Sequence, residues 1–164
     1  MKRIVFLAAL AICSNVLFAQ EKKLYTPAAD AEKDISAAIK KAQKDHKFIL
    51  LQAGGNWCSW CIEFARFTHA DLQLDSAMNA GFIWYHLNMS KENQNKKVFA
   101  QYGFPQRFGY PVFIVLNEKG ERIHTQNSSY LEDGKKSYDK NKVLEFLTAW
   151  SPSAMDAKNY DTPE

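Results

Sequence analysis

A pair of cysteines three positions apart, Cys58 and Cys61, is the feature that most constrains the fold and the chemistry of this chain. The apolar run 48–51 before the pair predicts a buried strand, and apolar residues at helical spacing after it predict a helix that begins at Cys58. At a helix N-terminus, the free backbone N–H groups and the helix dipole favour a thiolate over a thiol. The pattern therefore predicts a thiol-disulfide redox centre, with Cys58 as the nucleophile and Cys61 as the resolving thiol.

The first nineteen residues, 1–19, predict a secretory signal peptide. They have a basic start, an unbroken apolar run and a small residue, Ala19, at the cleavage point. The apolar run is shorter than the roughly 18 residues that a membrane-spanning helix needs. A lipid anchor on Cys13 is the less favoured alternative, because Ile12 stands where lipoprotein signals have a small residue. We therefore expect a periplasmic or secreted protein.

The remainder of the chain predicts one domain over residues 20–150 and a loose polar tail over 151–164. Loss of two basic residues with the signal lowers the formal net charge of +3 by two, so nothing favours nucleic acid or an anionic membrane as partner. Two cysteines then remain. A bridge that closes so small a loop stabilises a fold weakly, so the pair is better explained by chemistry than as a structural staple.

Periodicity along the chain predicts alternating helices and strands. The predicted elements are a helix at 30–44, a strand at 48–53, the Cys58 helix to 69, a loop with a short helical piece at 71–80, a strand at 82–88, a helix to 102, a strand at 112–116, a turn at 117–120, a strand at 121–126 and a helix after 139. Strand 82–88 is apolar on both faces, which predicts a central or well-covered position. Ser90 is the expected cap of the following helix.

This order of elements resembles the thioredoxin fold over about residues 28–150. The residues that carry the resemblance are Trp57 with the cysteine pair, Leu87-Asn88, Tyr102-Gly103, Tyr110-Pro111 and Glu118-Lys119-Gly120. The run 57–64 is also similar to exported bacterial thioredoxin-like proteins and to the C-terminal periplasmic domain of the membrane-embedded disulfide reductase that supplies electrons to isomerases. The resemblance implies an α/β thioredoxin fold, with a central mixed β-sheet of four to five strands flanked by helices.

The resemblance also implies a substrate surface around the cysteines. Pro111 would follow a cis peptide bond and lie across from Cys58, and the backbone of Tyr110 would pair with an extended substrate segment. Trp57 and Trp60 would shape the same surface. For Tyr110, plain packing of an aromatic ring at the end of a loop stays open as an alternative.

Two departures from the thioredoxin pattern concern proton transfer and redox potential. Gln52 stands where thioredoxins carry a buried aspartate, and it cannot act as a base. It could take part in a proton relay by orienting a water, hold Cys61 by a hydrogen bond, or simply be a satisfied polar residue. Glu63 is predicted to be solvated. Ser59-Trp60 replaces the Gly-Pro of thioredoxin and brings no histidine beside the nucleophile, which predicts a potential near the reducing end.

Two loops differ from the thioredoxin pattern. The loop 104–109 is about three residues longer than its thioredoxin equivalent, and its aromatic side chains and arginine could grip a partner protein or cover the core. The polar stretch 127–137 is predicted to be a solvated loop.

We expect no metal and no cofactor other than a redox-active Cys58–Cys61 disulfide. The four histidines offer no H-x(3–5)-H pair for zinc, and Ile62 stands where haem attachment needs a histidine. The expected activity is that of an exported thiol-disulfide oxidoreductase acting on protein thiols and disulfides, fed by a membrane or periplasmic electron donor. A reductase is favoured, with an isomerase as its main rival. A non-enzymatic module that binds clients with a dispensable cysteine pair is the alternative.

Overall fold

The computed structural model describes residues 23–160. Within that range the helices and strands are, in chain order, α1 (Ala31–Asp45), β1 (Phe48–Gly54), α2 (Ser59–Ala70), α3 (Leu72–Gly81), β2 (Phe82–Asn88), α4 (Lys96–Gln101), β3 (Val112–Leu116), β4 (Arg122–Asn127) and α5 (Lys140–Ala149). The strands pair in the order β2-β1-β3-β4. Strands β1 and β2 are parallel, and the other two pairs are antiparallel. The predicted mixed sheet flanked by helices is therefore confirmed, with four strands in the described part of the chain.

Every residue of β1 is buried, and its side chains alternate between two cores. Ile49 and Leu51 pack with residues of α1 and α4 on one face of the sheet. Phe48 and Leu50 pack with residues of α2, α3 and α5 on the other. Gln52 continues the second series, so its side chain lies on the face that α2 covers. Burial of each such apolar side chain stabilises the fold by about 1.5–3 kcal/mol.

Helix α1 lies within one residue of its predicted position. Its N-cap is Asp30, whose carboxylate accepts a hydrogen bond from the backbone N–H of Lys33 at 3.1 Å. Ile35, at the predicted apolar spacing, is buried in the core. The helix ends at His46, which adopts a left-handed conformation.

The prediction of a loop with a short helical piece at 71–80 is wrong, because most of that stretch is helix α3. Asp71 is its N-cap, and the carboxylate accepts hydrogen bonds from the backbone N–H groups of Gln73 and Leu74. Leu74 and Met78, one helical turn apart, are buried against the core. This aspartate followed by two apolar residues four positions apart was the available sequence signal for the helix.

Two predictions for the chain after α3 also fail. Strand β2 is an edge strand rather than a central one, and its middle residues 83–86 are only half-buried, because no further strand among the described residues covers its outer side. Ser90 does not cap α4. Its hydroxyl accepts a hydrogen bond from the backbone N–H of Asn93, and α4 begins later, after Asn95.

The predicted signal peptide 1–19, with Cys13, lies outside the described residues. The start of the predicted tail contains two short 3₁₀ turns, Ser153–Met155 and Ala157–Asn159. The domain limits at 20 and 150 stay predictions.

Candidate active site

The two cysteines lie between the end of β1 and the first turn of α2. Cys58 is the N-cap residue of α2, with extended backbone angles (φ −95°, ψ 101°). Its sulfur forms a disulfide with Cys61, and the two Cα atoms are 5.2 Å apart. Cys58 Sγ also accepts a hydrogen bond from the backbone N–H of Cys61 at 3.1 Å. A thiolate on Cys58 would therefore be stabilised by the start of the helix.

Burial distinguishes the two cysteines. Cys58 keeps 5 % of its surface exposed, whereas Cys61 keeps 0 %. A disulfide on another protein could therefore contact Cys58 but would have no access to Cys61. The division of roles between nucleophile and resolving thiol stays a prediction.

Gly54, the last residue of β1, leaves the space that Cys61 occupies. A Cβ atom at this position would overlap Cys61 Sγ and come within 2.9 Å of the hydroxyl oxygen of Tyr25. Because backbone and disulfide approach so closely here, only glycine fits without a shift of either.

The loop that precedes β3 closes one side of the site. The peptide bond between Tyr110 and Pro111 is cis. Tyr110 packs on the cluster that contains both cysteines, and burial raises the pKa of its hydroxyl. Its ring also meets Trp57 edge to face, with the ring centroids 5.5 Å apart.

The two tryptophans beside the cysteines have different surroundings. Trp57 is 60 % exposed, and its indole Nε1 donates a hydrogen bond to the carbonyl oxygen of Met89 at 2.7 Å. Trp60 is half-buried and packs edge to face on Tyr138. Trp57 therefore presents a fixed apolar surface to solvent, whereas Trp60 is partly a packing residue.

Gln52 is fully buried beneath the cysteine pair. Its side-chain Nε2 donates a hydrogen bond to the carbonyl oxygen of Cys61 at 2.8 Å. Its Oε1 has no hydrogen-bond partner among the described residues. Gln52 thus holds the backbone of Cys61, which is one of the roles open to it from the sequence. The proton-relay role stays a prediction.

Sequence reasoning missed three polar residues around Gln52 and the cysteine pair. Tyr25 is fully buried and belongs to the cluster of the two cysteines. Asn56 makes two hydrogen bonds to the backbone of Tyr25. His86 lies beside Gln52 on the neighbouring strand, and burial, with a smaller effect of His69, lowers the pKa of its imidazole to about 4. Tyr25 precedes the first helix, where no periodicity marks a core residue.

Glu63 is not solvated as predicted, whereas most of the polar stretch 127–137 is exposed as predicted, and only Ser128 and Leu131 in it are buried. The Glu63 carboxylate accepts hydrogen bonds from Arg66 at 2.7 Å and from the Ser137 hydroxyl at 2.6 Å. These partners, Arg66 first, lower its pKa. Tyr138, at the end of the stretch, is buried, and its hydroxyl donates to the carbonyl oxygen of Trp60 at 3.0 Å. The stretch therefore braces the outer side of α2, and Glu63 is paired rather than free to act as a base.

The loop 104–109 contains a 3₁₀ turn, Pro105–Phe108. Phe104 and Phe108 are exposed, while Pro105 is buried, so the loop both covers the core and presents aromatic surface. The Arg107 guanidinium lies over the Phe108 ring, 4.3 Å from its centroid, and donates to the carbonyl oxygen of Phe104 at 2.9 Å.

Among residues 23–160, no three His, Cys, Asp or Glu side chains are close enough together to hold a metal ion. Over the same residues, none of the helices combines the length and the apolar character needed to cross a membrane.

Comparison with known proteins points to one family. Residues 30–118, more than half of the chain, match a family model described as thioredoxin-like. A crystal structure of a disulphide isomerase from Xylella fastidiosa Temecula1 superposes with a TM-score of 0.68 and 22 % identity, over 78 % of this chain and 96 % of that one. The oxidised C-terminal domain of DsbD from Neisseria meningitidis superposes with a TM-score of 0.55 and 18 % identity, over 74 % of this chain and 97 % of that one. No curated protein matches the sequence significantly.

Proposed function

The chain belongs to the thioredoxin-like family, and from this premise we propose that it is an extracytoplasmic thiol-disulfide oxidoreductase that reduces disulfides in exported proteins. The observation that carries the proposal is the Cys58–Cys61 disulfide at the start of α2, with one cysteine reachable and the other enclosed. The similar structures include a protein titled a disulphide isomerase and a DsbD domain, which supports the same chemistry.

The proposed reaction begins with the reduced pair. The Cys58 thiolate attacks one sulfur of a client disulfide, breaks the client S–S bond and forms a mixed disulfide, while the other client sulfur leaves as a thiolate. The Cys61 thiolate then attacks Cys58 Sγ, which forms the Cys58–Cys61 bond and releases the second client sulfur. Two electrons pass to the client. A dithiol donor must then reduce the pair again, and we propose a membrane or periplasmic protein for that step.

The client surface would consist of Trp57, Trp60, Tyr110 and Pro111. Tyr110, which precedes the cis Pro111, packs on the cysteine cluster, so an extended client segment could pair with its backbone as an added strand. The exposed ring of Trp57 and the ring of Tyr110 form an apolar rim there. The basic start and the apolar run of residues 1–19 support export to the periplasm or beyond.

Trapping of mixed disulfides tests the proposal. Cys61→Ser cannot resolve the mixed disulfide, so we expect it to accumulate covalent complexes with client proteins, visible on non-reducing gels and identified by mass spectrometry. Cys58→Ser, the matched control, should accumulate almost none, because Cys61 is enclosed. Equal trapping by the two variants would contradict the assignment of roles. Partner binding that survives Cys58→Ser with Cys61→Ser would instead favour the non-enzymatic module.

A further inference from the structure

The hydroxyl of Tyr25 lies beside the sulfur of the resolving cysteine. Tyr25 is fully buried and packs in one cluster with Cys58 and Cys61. A single Cβ placed at Gly54 would contact both the Tyr25 oxygen and Cys61 Sγ. The hydroxyl and the sulfur therefore occupy adjoining positions above the end of β1, on the enclosed side of the disulfide.

The backbone of Tyr25 is fixed to the active-site loop. The side chain of Asn56, two residues before Cys58, accepts from the Tyr25 N–H at 3.0 Å and donates to the Tyr25 carbonyl oxygen at 2.8 Å. Two opposed hydrogen bonds from one amide hold the residue in a single orientation. Tyr25 is thus positioned by the same segment that carries the cysteines.

The Tyr25 hydroxyl makes no hydrogen bond of good geometry among the described residues, although the Gln52 side chain lies close enough to it to lower its pKa. Leaving a buried hydroxyl unpaired is costly, so such a group usually has a partner in some state of the protein. A disulfide sulfur is a poor acceptor, whereas a thiolate is a strong one. Reduction of the pair would create that acceptor next to the hydroxyl.

The groups around Tyr25 keep its hydroxyl protonated, so the hydroxyl can donate a hydrogen bond. Burial raises the pKa of its hydroxyl, and the nearby Gln52 amide opposes only part of that rise, so the proton stays on the oxygen. His86, which meets the Tyr25 ring edge to face, is neutral at pH 7 because burial lowers its pKa to about 4. Tyr110, on the loop side of the cluster, also keeps its proton, and Glu63 is occupied by Arg66 and Ser137.

We propose that Tyr25 is a further catalytic residue, whose hydroxyl donates a hydrogen bond to the Cys61 thiolate that attacks Cys58 Sγ. This inference rests on the proposed function for its role in turnover. In the resolving step Cys61 loses its proton to water, its sulfur bonds to Cys58 Sγ, and the client sulfur departs with the electron pair of the broken bond. Tyr25 keeps its own proton throughout and stabilises the charge on Cys61 before the attack.

The proposal is tested by measuring the pKa of the Cys61 thiol with and without the Tyr25 hydroxyl. Replacing Cys13 and Cys58 by serine in the full chain leaves Cys61 as the single cysteine, with an uncharged neighbour as in the mixed disulfide. The Cβ chemical shift of ¹³C-labelled Cys61 then reports its pKa by NMR. A hydrogen bond to a charged group predicts that Tyr25→Phe raises this pKa by about one to two units.

Two comparisons separate hydrogen bonding from packing. Tyr102→Phe makes the same chemical change at a buried tyrosine on the opposite face of the sheet and should leave the Cys61 pKa unchanged. Site-specific replacement of Tyr25 by 3-fluorotyrosine, a stronger hydrogen-bond donor of similar size, should lower the pKa of Cys61. This second variant keeps the test decisive if Tyr25→Phe folds poorly.

Kinetics provides the readout of function. In the chain that retains both active-site cysteines, Tyr25→Phe should slow the release of glutathione from a Cys58–glutathione mixed disulfide about 3- to 10-fold near neutral pH. The loss of thiolate outweighs the gain in nucleophilicity that accompanies a higher pKa. An unchanged Cys61 pKa in both Tyr25 variants would overturn the inference. The titration needs no client, so a failure to trap clients would overturn the proposed function while leaving this result intact.

Discussion

At the scale of single residues, the atoms around the Cys61 sulfur are packed so closely that no additional atom fits between them. Gly54 is the clearest case, because the backbone of β1 passes directly under the Cys61 sulfur and the Tyr25 hydroxyl. Gln52, two residues earlier, ties the Cys61 carbonyl to the same strand. Residues of one buried strand therefore contact Cys61 at both its sulfur and its backbone.

Gly54→Ala should destabilise the oxidised protein by about 1–3 kcal/mol, the usual cost of forcing extra atoms into a packed core. Gly81→Ala is the matched control. Its added Cβ would lie 3.4 Å from the nearest atom, an ordinary contact in a helix, so this variant should not lose stability and should gain up to about 1 kcal/mol. Urea denaturation of the oxidised proteins measures both. Equal free energies of unfolding for the two variants would mean that the Gly54 contact is relaxed at no cost.

At the scale of elements, the segment before α1 packs against the cysteine pair although it has no regular structure. Asn56 holds it at Tyr25, and the side chain of Asn93 holds it again by donating to the carbonyl oxygens of Pro27 and Ala29. The loop after β1 and the loop after β2, which lie at the same edge of the sheet because the two strands are parallel, thereby fasten residues 25–29. For its hydroxyl to stay beside Cys61, Tyr25 needs a backbone as ordered as the helices.

Asn56→Ala should loosen that segment specifically. Loss of two hydrogen bonds, each worth about 0.5–1.5 kcal/mol, predicts that amide hydrogen exchange around Tyr25 becomes about tenfold faster or more. Asn79→Ala, which removes one exposed hydrogen bond from a helix, should leave that exchange unchanged. Mass spectrometry of exchanged peptides makes the comparison. Unaltered exchange at Tyr25 in the Asn56 variant would show that packing alone holds the segment.

The helices and strands also show which parts of the fold the sequence patterns predict. Strand β3 lies where it was predicted, and α1, β1 and α2 lie within one residue of their expected limits, because strong apolar periodicity and a capping residue mark them. Helix α3 was missed because its apolar face is short. The edge position of β2 was missed because an aromatic-rich edge strand has the composition of a central one.

At the scale of the whole molecule, the topology explains which part of the site could be predicted. The cysteine pair is local in sequence, and its position at the start of α2 followed from the strand and helix that flank it. Tyr25 and His86 reach the site only through long-range packing and strand pairing, 33 and 25 residues from Cys58 and Cys61, respectively. Local sequence patterns do not predict contacts between residues so far apart in the chain, so these contacts are visible only in the folded structure.

The central claim is that the Cys58–Cys61 pair is a reversible redox centre that works as a reductant, and its equilibrium potential tests this claim most directly. The oxidised protein is incubated in graded glutathione buffers, and the fraction of disulfide is measured by alkylation and mass spectrometry of the peptide that carries both cysteines. We predict a single reversible two-electron transition with a potential nearer to about −270 mV than to about −120 mV. A pair that does not change with the buffer, or a potential close to −120 mV, would contradict the account.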